Sequence, residues 1–121
     1  MRLPIQYALN YPERRGRVVK RVDFASLGSL TFMEPDAGKF PCLGLARKAA
    51  SAGGTAPAVL SAADEEAVKC YLDGSIRFTR IPMVIEKVMA AHRNSGSRLS
   101  VKSVLDADAW AREEARSICY R

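Results

Sequence analysis

Histidine is nearly absent from this chain. Its 121 residues contain one, His92, which removes every catalytic or metal site that needs two imidazoles. The sequence has no HExxH, GxSxG, Walker loop or GxGxxG, so the common zinc-hydrolase, serine-hydrolase, P-loop and dinucleotide signatures are missing. Cysteine is scarce too. Cys42, Cys70 and Cys119 are odd in number and form no CxxC pair, which argues against a disulfide framework or a zinc ribbon. Cys42 and Cys70 sit among apolar neighbours and read as small reduced core residues. The longest charge-free stretches, Pro4 to Pro12 and Ala49 to Ala63, fall short of the ~20 apolar residues of a membrane span. Pro4, Gln6 and Asn10 interrupt any apolar core that a secretion signal would need. A cytoplasmic protein without a membrane partner is the default expectation.

Charge is plentiful but uneven. The formal net charge is +6, yet most of it lies in residues 1–21. There Arg2, Arg14, Arg15, Arg17, Lys20 and Arg21 face only Glu13, a balance of +5. The remaining 100 residues are close to neutral. A basic run at Arg14 to Arg21 has nucleic acid as its generic partner. The same run is also what a solvated connector looks like, and it lacks interleaved aromatics for stacking on bases.

Periodicity divides the chain into an irregular tail and a helical body. A short helix is expected over residues 4–10, with Pro4 in its first turn and Tyr11-Pro12 ending it. Ser29 to Met33 alternates, with Leu30 and Phe32 on one side, and reads as a lone strand without a sheet. Pro41 opens a helix that stops at Gly53-Gly54. Thr55 is placed to cap a second, whose expected inner face is Leu60, Ala63, Ala67, Cys70 and Tyr71, with Gly74 ending it. Thr79 and Pro82 begin a third, with Ile81, Ile85, Val88 and Met89 inside. Asn94 to Ser97 reads as a polar loop. A last helical stretch runs from Ser100 to Tyr120, with Trp110, Ala111, Ala115 and Ile118 as its apolar side. The expected class is therefore mainly α: a C-terminal four-helix bundle preceded by an irregular arm with one short strand.

Few residues suggest chemistry. His92 falls near a helix C-terminus, where a cation complements the dipole. Gly53-Gly54-Thr55 ahead of a helix offers free N–H groups to a phosphate, and equally serves as a C-cap followed by an N-cap. Asp64, Glu65 and Glu66 are consecutive, about 100° apart around a helix, and cannot converge on one ion; they read as a solvated face. Glu34-Pro35-Asp36 reads as a turn.

A set of blocks carries more information than any of these residues. MRLPIQYALNYPER at Met1 to Arg14, LGSLTF at Leu27 to Phe32 and FPCL at Phe40 to Leu43 come first. GGTAPAVLSAADE at Gly53 to Glu65, IRFTRIP at Ile76 to Pro82 and DADAWAREEAR at Asp106 to Arg116 follow. In this order and spacing the chain resembles the C-terminal third of the 1-deoxy-D-xylulose 5-phosphate reductoisomerase family. The resemblance implies that residues 1–12 end a catalytic connective domain, 13–39 form a linker arm and 40–121 form the C-terminal helical domain. It implies a whole enzyme using NADPH and Mg²⁺ or Mn²⁺, with the chemistry of isoprenoid biosynthesis, as a homodimer. The family's metal and phosphate ligands lie upstream of the matched region, so no catalytic and no metal residue is carried onto this chain. One position does carry over: Met1, in the MR-x-PI block, corresponds to a methionine that lines the nicotinamide pocket.

The chain departs from the family pattern at Leu60 to Glu65, where LSAADE replaces LNAANE. The loss of both amides bears on the docking of helix to linker. An internal start or a truncated gene is the expected origin of a chain opening at this methionine. Three readings follow: an architectural, inactive C-terminal part of the reductoisomerase that partners the upstream domains and binds no nucleic acid; a standalone helical interaction module with a basic arm; or a non-functional truncated product.

Overall fold

The computed structural model describes residues 1–94 and 99–121; of the expected 94–97 loop, positions 95–97 lie outside them. Among the described residues there are six α-helices: α1 (Arg2–Asn10), α2 (Phe24–Leu27), α3 (Pro41–Ala52), α4 (Ala56–Leu72), α5 (Ile81–Ala91) and α6 (Val101–Cys119). A 3-10 turn, Phe78–Arg80, leads into α5. The chain divides into two units, Met1–Glu34 and Pro35–Arg121.

The first unit holds α1 and α2. Tyr11, with ψ at 136°, leaves helical geometry before Pro12 and stops α1 where the sequence requires. Asp23 caps α2 by accepting from the Ala25 N–H at 3.0 Å. Ser29 to Met33 carries no ladder among the described residues, so the expected strand is not formed. Its physical cause is the lack of a neighbouring strand, since backbone groups in an extended segment pair only across a ladder. No residue of this unit is buried.

The second unit contains the core. Pro41 stands at the start of α3, and Gly53, with φ at +61°, ends it in a conformation that favours glycine. Around α4 are packed α3, α5 and α6. From α4 come Val59, Ala62, Ala63, Ala67 and Cys70, all at most 1% exposed. Helix α5 adds Ile81, Val84, Ile85 and Val88, α6 adds Ala111, Ala115 and Cys119, and α3 adds Leu45. One expected core position differs: Tyr71 is on the surface, in edge contact with Phe78. Met89 packs partly buried against the core, and Val84 joins the α5 stripe with no exposed surface. Thr79 does not cap α5; Arg80 stands at that position without a side-chain bond.

Small residues dominate the facing stripes of α4 and α6, which lets the two backbones approach closely. Across that seam Glu66, only 6% exposed, accepts two hydrogen bonds from Arg116, both at 2.9 Å. Arg112 adds contacts to Glu66 at 3.5 Å and Glu65 at 2.8 Å, and is itself held by Asp108 at 2.8 and 3.1 Å. The Arg116 guanidinium keeps the Glu66 carboxyl below the usual carboxylate range. This corrects the solvated-face reading: Asp64 and Glu65 are exposed, but Glu66 points inward.

A second polar cluster joins the α3–α4 turn to the end of α5. Thr55 is 1% exposed, and its hydroxyl lies 2.9 Å from His92 Nε2. Asn94 accepts from the Thr55 N–H at 3.0 Å and donates to the carbonyls of Ala52 and Gly53 at 3.3 and 3.2 Å. Asn94 therefore ties the α3–α4 turn to the end of α5, and Thr55, although it stands at the N-cap of α4, makes no side-chain capping bond. The His92 ring rests against Trp110 with centroids 5.4 Å apart. Burial pushes its pKa down, so it serves as a neutral partner of Thr55 and not as a cation for the helix dipole.

Two outcomes follow for stability. Ala115→Leu forces extra methylenes into the α4–α6 seam and should cost about 1–3 kcal/mol, read from urea unfolding followed by circular dichroism. His92 has a folded pKa below its unfolded value, so the unfolded chain binds the proton first. Its contribution is complete above about pH 6.5 and is lost as pH falls from there through the folded pKa. Thermal unfolding of His92→Gln should lack that acid-side decline, beside a parent chain that shows it.

Candidate functional site

The groups a reaction would use are already engaged. His92 is held between Thr55 and Trp110, and Glu65, Glu66 and Asp108 are shared between Arg112 and Arg116. Among the described residues no group of three His, Cys, Asp or Glu side chains is placed to hold a metal ion. Glu65, Glu66 and Asp108 thus serve as guanidinium partners. Cys70 and Cys119 are buried free thiols, and burial raises the Cys119 pKa to about 12, which leaves it an unreactive thiol at neutral pH.

Among the concavities of the second unit, two have volumes near 550 Å³. One, of about 550 Å³, is lined by Thr55, His92, Arg93, Ser103, Asp106 and Trp110, among others. Every buried polar side-chain atom among the described residues has a hydrogen-bond partner. The other, of about 540 Å³, is an apolar groove between the start of α3 and the 3-10 turn, with Phe40, Pro41, Cys42, Phe78 and Pro82 in its walls. Phe40 and Phe78 are 63% and 68% exposed. Apolar exposure of this kind is characteristic of docking surfaces.

The first unit is richer still in such surface. Leu9, Phe24, Leu30, Phe32 and Met33 are all at least 60% exposed. Met1, the position matched to a nicotinamide-pocket methionine, is 91% exposed and stands at the start of α1. The basic run is held only locally: Arg14 stacks on Tyr7 at 4.7 Å, Arg15 pairs with Glu13 at 3.1 Å, and Gln6 donates to the Gly16 carbonyl at 2.5 Å. Sequence reasoning missed Glu66, Arg116 and Asn94. Arg116 and Glu66 are 50 positions apart, and only the packing of α6 on α4 makes them neighbours.

Comparison with known proteins identifies the family. The family model for the DXP reductoisomerase C-terminal domain matches residues 1–114. The 1-deoxy-D-xylulose 5-phosphate reductoisomerase of Desulforamulus reducens is 48% identical over 118 residues, covering 98% of this chain and 30% of that protein. That of Trichlorobacter lovleyi is 50% identical over 120 residues, with the same coverages of 98% and 30%. Among solved structures, the Zymomonas mobilis reductoisomerase in complex with NADPH superposes with a TM-score of 0.87 at 33% identity, over 99% of this chain and 32% of that one. A DOX-P reductoisomerase in complex with magnesium gives 0.82 at 35% identity, over 96% and 31%. The chain thus spans about 30% of the length of the curated relatives it matches. Its mainly helical fold, its ordered blocks and its match from end to end lead to one conclusion: the chain belongs to the DXP reductoisomerase C-terminal domain family.

Proposed function

We propose that this chain acts as the C-terminal architectural part of a 1-deoxy-D-xylulose 5-phosphate reductoisomerase. The whole enzyme would isomerise and reduce 1-deoxy-D-xylulose 5-phosphate to 2-C-methyl-D-erythritol 4-phosphate with NADPH and Mg²⁺ or Mn²⁺, in non-mevalonate isoprenoid synthesis, as a cytoplasmic homodimer. The observation that carries this reading is the coverage: nearly all of this chain matches about 30% of each relative. The boundaries 1–12, 13–39 and 40–121 then mark the end of the connective domain, the linker and a four-helix bundle. The bundle holds its shape through its own core, and the arm and the apolar groove face the rest of the enzyme. Hydride transfer and metal polarisation of a carbonyl belong to residues outside this chain. Met1 is the one side chain here assigned to the cofactor, as apolar lining beside the nicotinamide.

Two measurements test the proposal. The purified chain alone should oxidise no NADPH in the presence of the sugar phosphate and Mg²⁺. A chimera carrying this chain in place of the matching part of the Trichlorobacter lovleyi enzyme should oxidise it. Turnover by the isolated chain, or a folded chimera without activity, overturns the reading. The standalone-module alternative rests on the exposed basic run, and is tested with a random DNA duplex. Charge alone gives non-specific binding no tighter than roughly 10⁻⁴–10⁻⁶ M at physiological salt, weakening steeply as salt rises. Submicromolar, sequence-selective affinity that survives added salt would favour the module.

A further inference from the structure

The C-terminal ends of α4 and α6 hold two thiols that the proposed function does not use. These helices run side by side in the same direction. Glu66 meets Arg116 at 2.9 Å, and further along both chains the Tyr120 hydroxyl donates to Asp73 at 3.3 Å. Between those contacts lie Cys70, four residues past Glu66, and Cys119, three past Arg116. Each is one helical turn on, along the same face as its predecessor. Both are free thiols, 1% and 4% exposed, in one apolar cluster. Burial, and then a hydrogen bond between the two thiols, raises the Cys119 pKa. The sulfurs are therefore neighbours across the seam.

The geometry points to Cys70 and Cys119 as an oxidisable pair, which a peroxide converts to an intramolecular disulfide that clamps the ends of α4 and α6. The pair suits that product. A disulfide needs Cα atoms roughly 4.4–6.8 Å apart, and facing helices come that close only where they meet through small residues. Ala67 and Ala115, the adjoining seam positions, are fully buried. The Cys70 backbone is held as well, since its carbonyl accepts from the Ser75 and Ile76 N–H groups at 2.8 and 3.2 Å. The inference concerns the second unit alone and stands apart from the proposed function.

Burial sets the order of events. In the closed pair Cys119 stays protonated and shielded, so reaction belongs to moments when the last turn of α6 opens. Cys119 is the final residue of that helix, where fraying starts, and a small uncharged peroxide fits such an opening. The wetted Cys119 loses its proton, and its sulfur attacks one peroxide oxygen. The O–O bond breaks, the departing oxygen takes the proton and leaves as an alcohol or water, and a sulfenic acid remains. On reclosure the Cys70 sulfur attacks the sulfenic sulfur. The S–O bond breaks, and the released hydroxide takes the Cys70 proton and leaves as water. Together the thiols give up two electrons, and the peroxide accepts them. A dithiol reductant reverses the clamp by exchange.

The test uses the whole chain carrying Cys42→Ala, so that only the pair can react. Treated with hydrogen peroxide while folded, it should lose the mass of two hydrogens, and a tryptic map should join the Cys70 peptide to the Cys119 peptide. Its thermal midpoint should rise by about 10 °C or more, as a cross-link closing a loop of this length provides. Dithiothreitol should return the midpoint to its starting value. Cys70→Ala and Cys119→Ala, each added to that background, should keep the helicity of the reduced chain and show no rise. The mass and peptide map of the Cys42→Ala chain do not depend on either variant folding. Sulfinic or sulfonic acid in place of the linkage, or a linkage between two copies, overturns the proposal. So does a linked chain whose midpoint is unchanged or lower, or a pair that stays reduced until the chain is unfolded.

Discussion

Everything in the helical unit depends on how closely α6 can lie along α4. Close approach requires small side chains, and the facing stripes supply them: Ala62, Ala63 and Ala67 on one helix, Ala111 and Ala115 on the other, all fully buried. An alanine seam is smooth, however, and by itself would tolerate sliding by a turn. The Glu66–Arg116 pair removes that freedom. Its two parallel hydrogen bonds form in one register only, and a slip would leave a carboxylate buried without a partner. Burial of apolar surface thus provides the cohesion, and one ion pair provides the alignment.

That division of labour explains why α5 and α3 can be simpler. Helix α5 contributes ordinary branched side chains, Val84 and Val88 with no exposed surface, and each such burial stabilises the fold by about 1.5–3 kcal/mol. Helix α3 buries only Leu45 and Ala49. Phe40, just ahead of α3, is left as exposed apolar surface. The unit is built as a tight pair of helices, α4 and α6, with two further helices laid against it.

Much of this organisation was legible in the sequence, and the failures have a common cause. Proline and glycine marked the ends of α3 and the start of α4 because their effects are local to the backbone. The apolar stripe of α6 was visible from its period. Glu66 was not, because a carboxylate in a run of three reads as solvent-facing until its partner on another helix is known. Thr55 likewise looked like a helix cap and does stand at the N-cap position, but its hydroxyl meets His92, 37 residues away, instead of the helix backbone. The alternation at Ser29 to Met33 was read correctly as a pattern. It forms no strand in this chain because a strand is a property of two segments, and only one is here. For the candidate site, no local signal could separate an exposed apolar docking face from an ordinary surface; the ordered blocks did so by resemblance.

The contact between Gly54 and Asn94 carries a consequence for how this domain can change over time. Gly54 has φ at +56°, and a Cβ there would collide with the Asn94 side-chain amide. Any larger residue at 54 therefore displaces the group that holds the Thr55 N–H and two carbonyls of the preceding turn. Shortening residue 94 first would open the space, but only by leaving those same backbone groups unpaired. Neither single step is neutral. The two positions form a locked pair, so drift elsewhere on the surface can proceed freely while this corner stays fixed or changes in one double replacement.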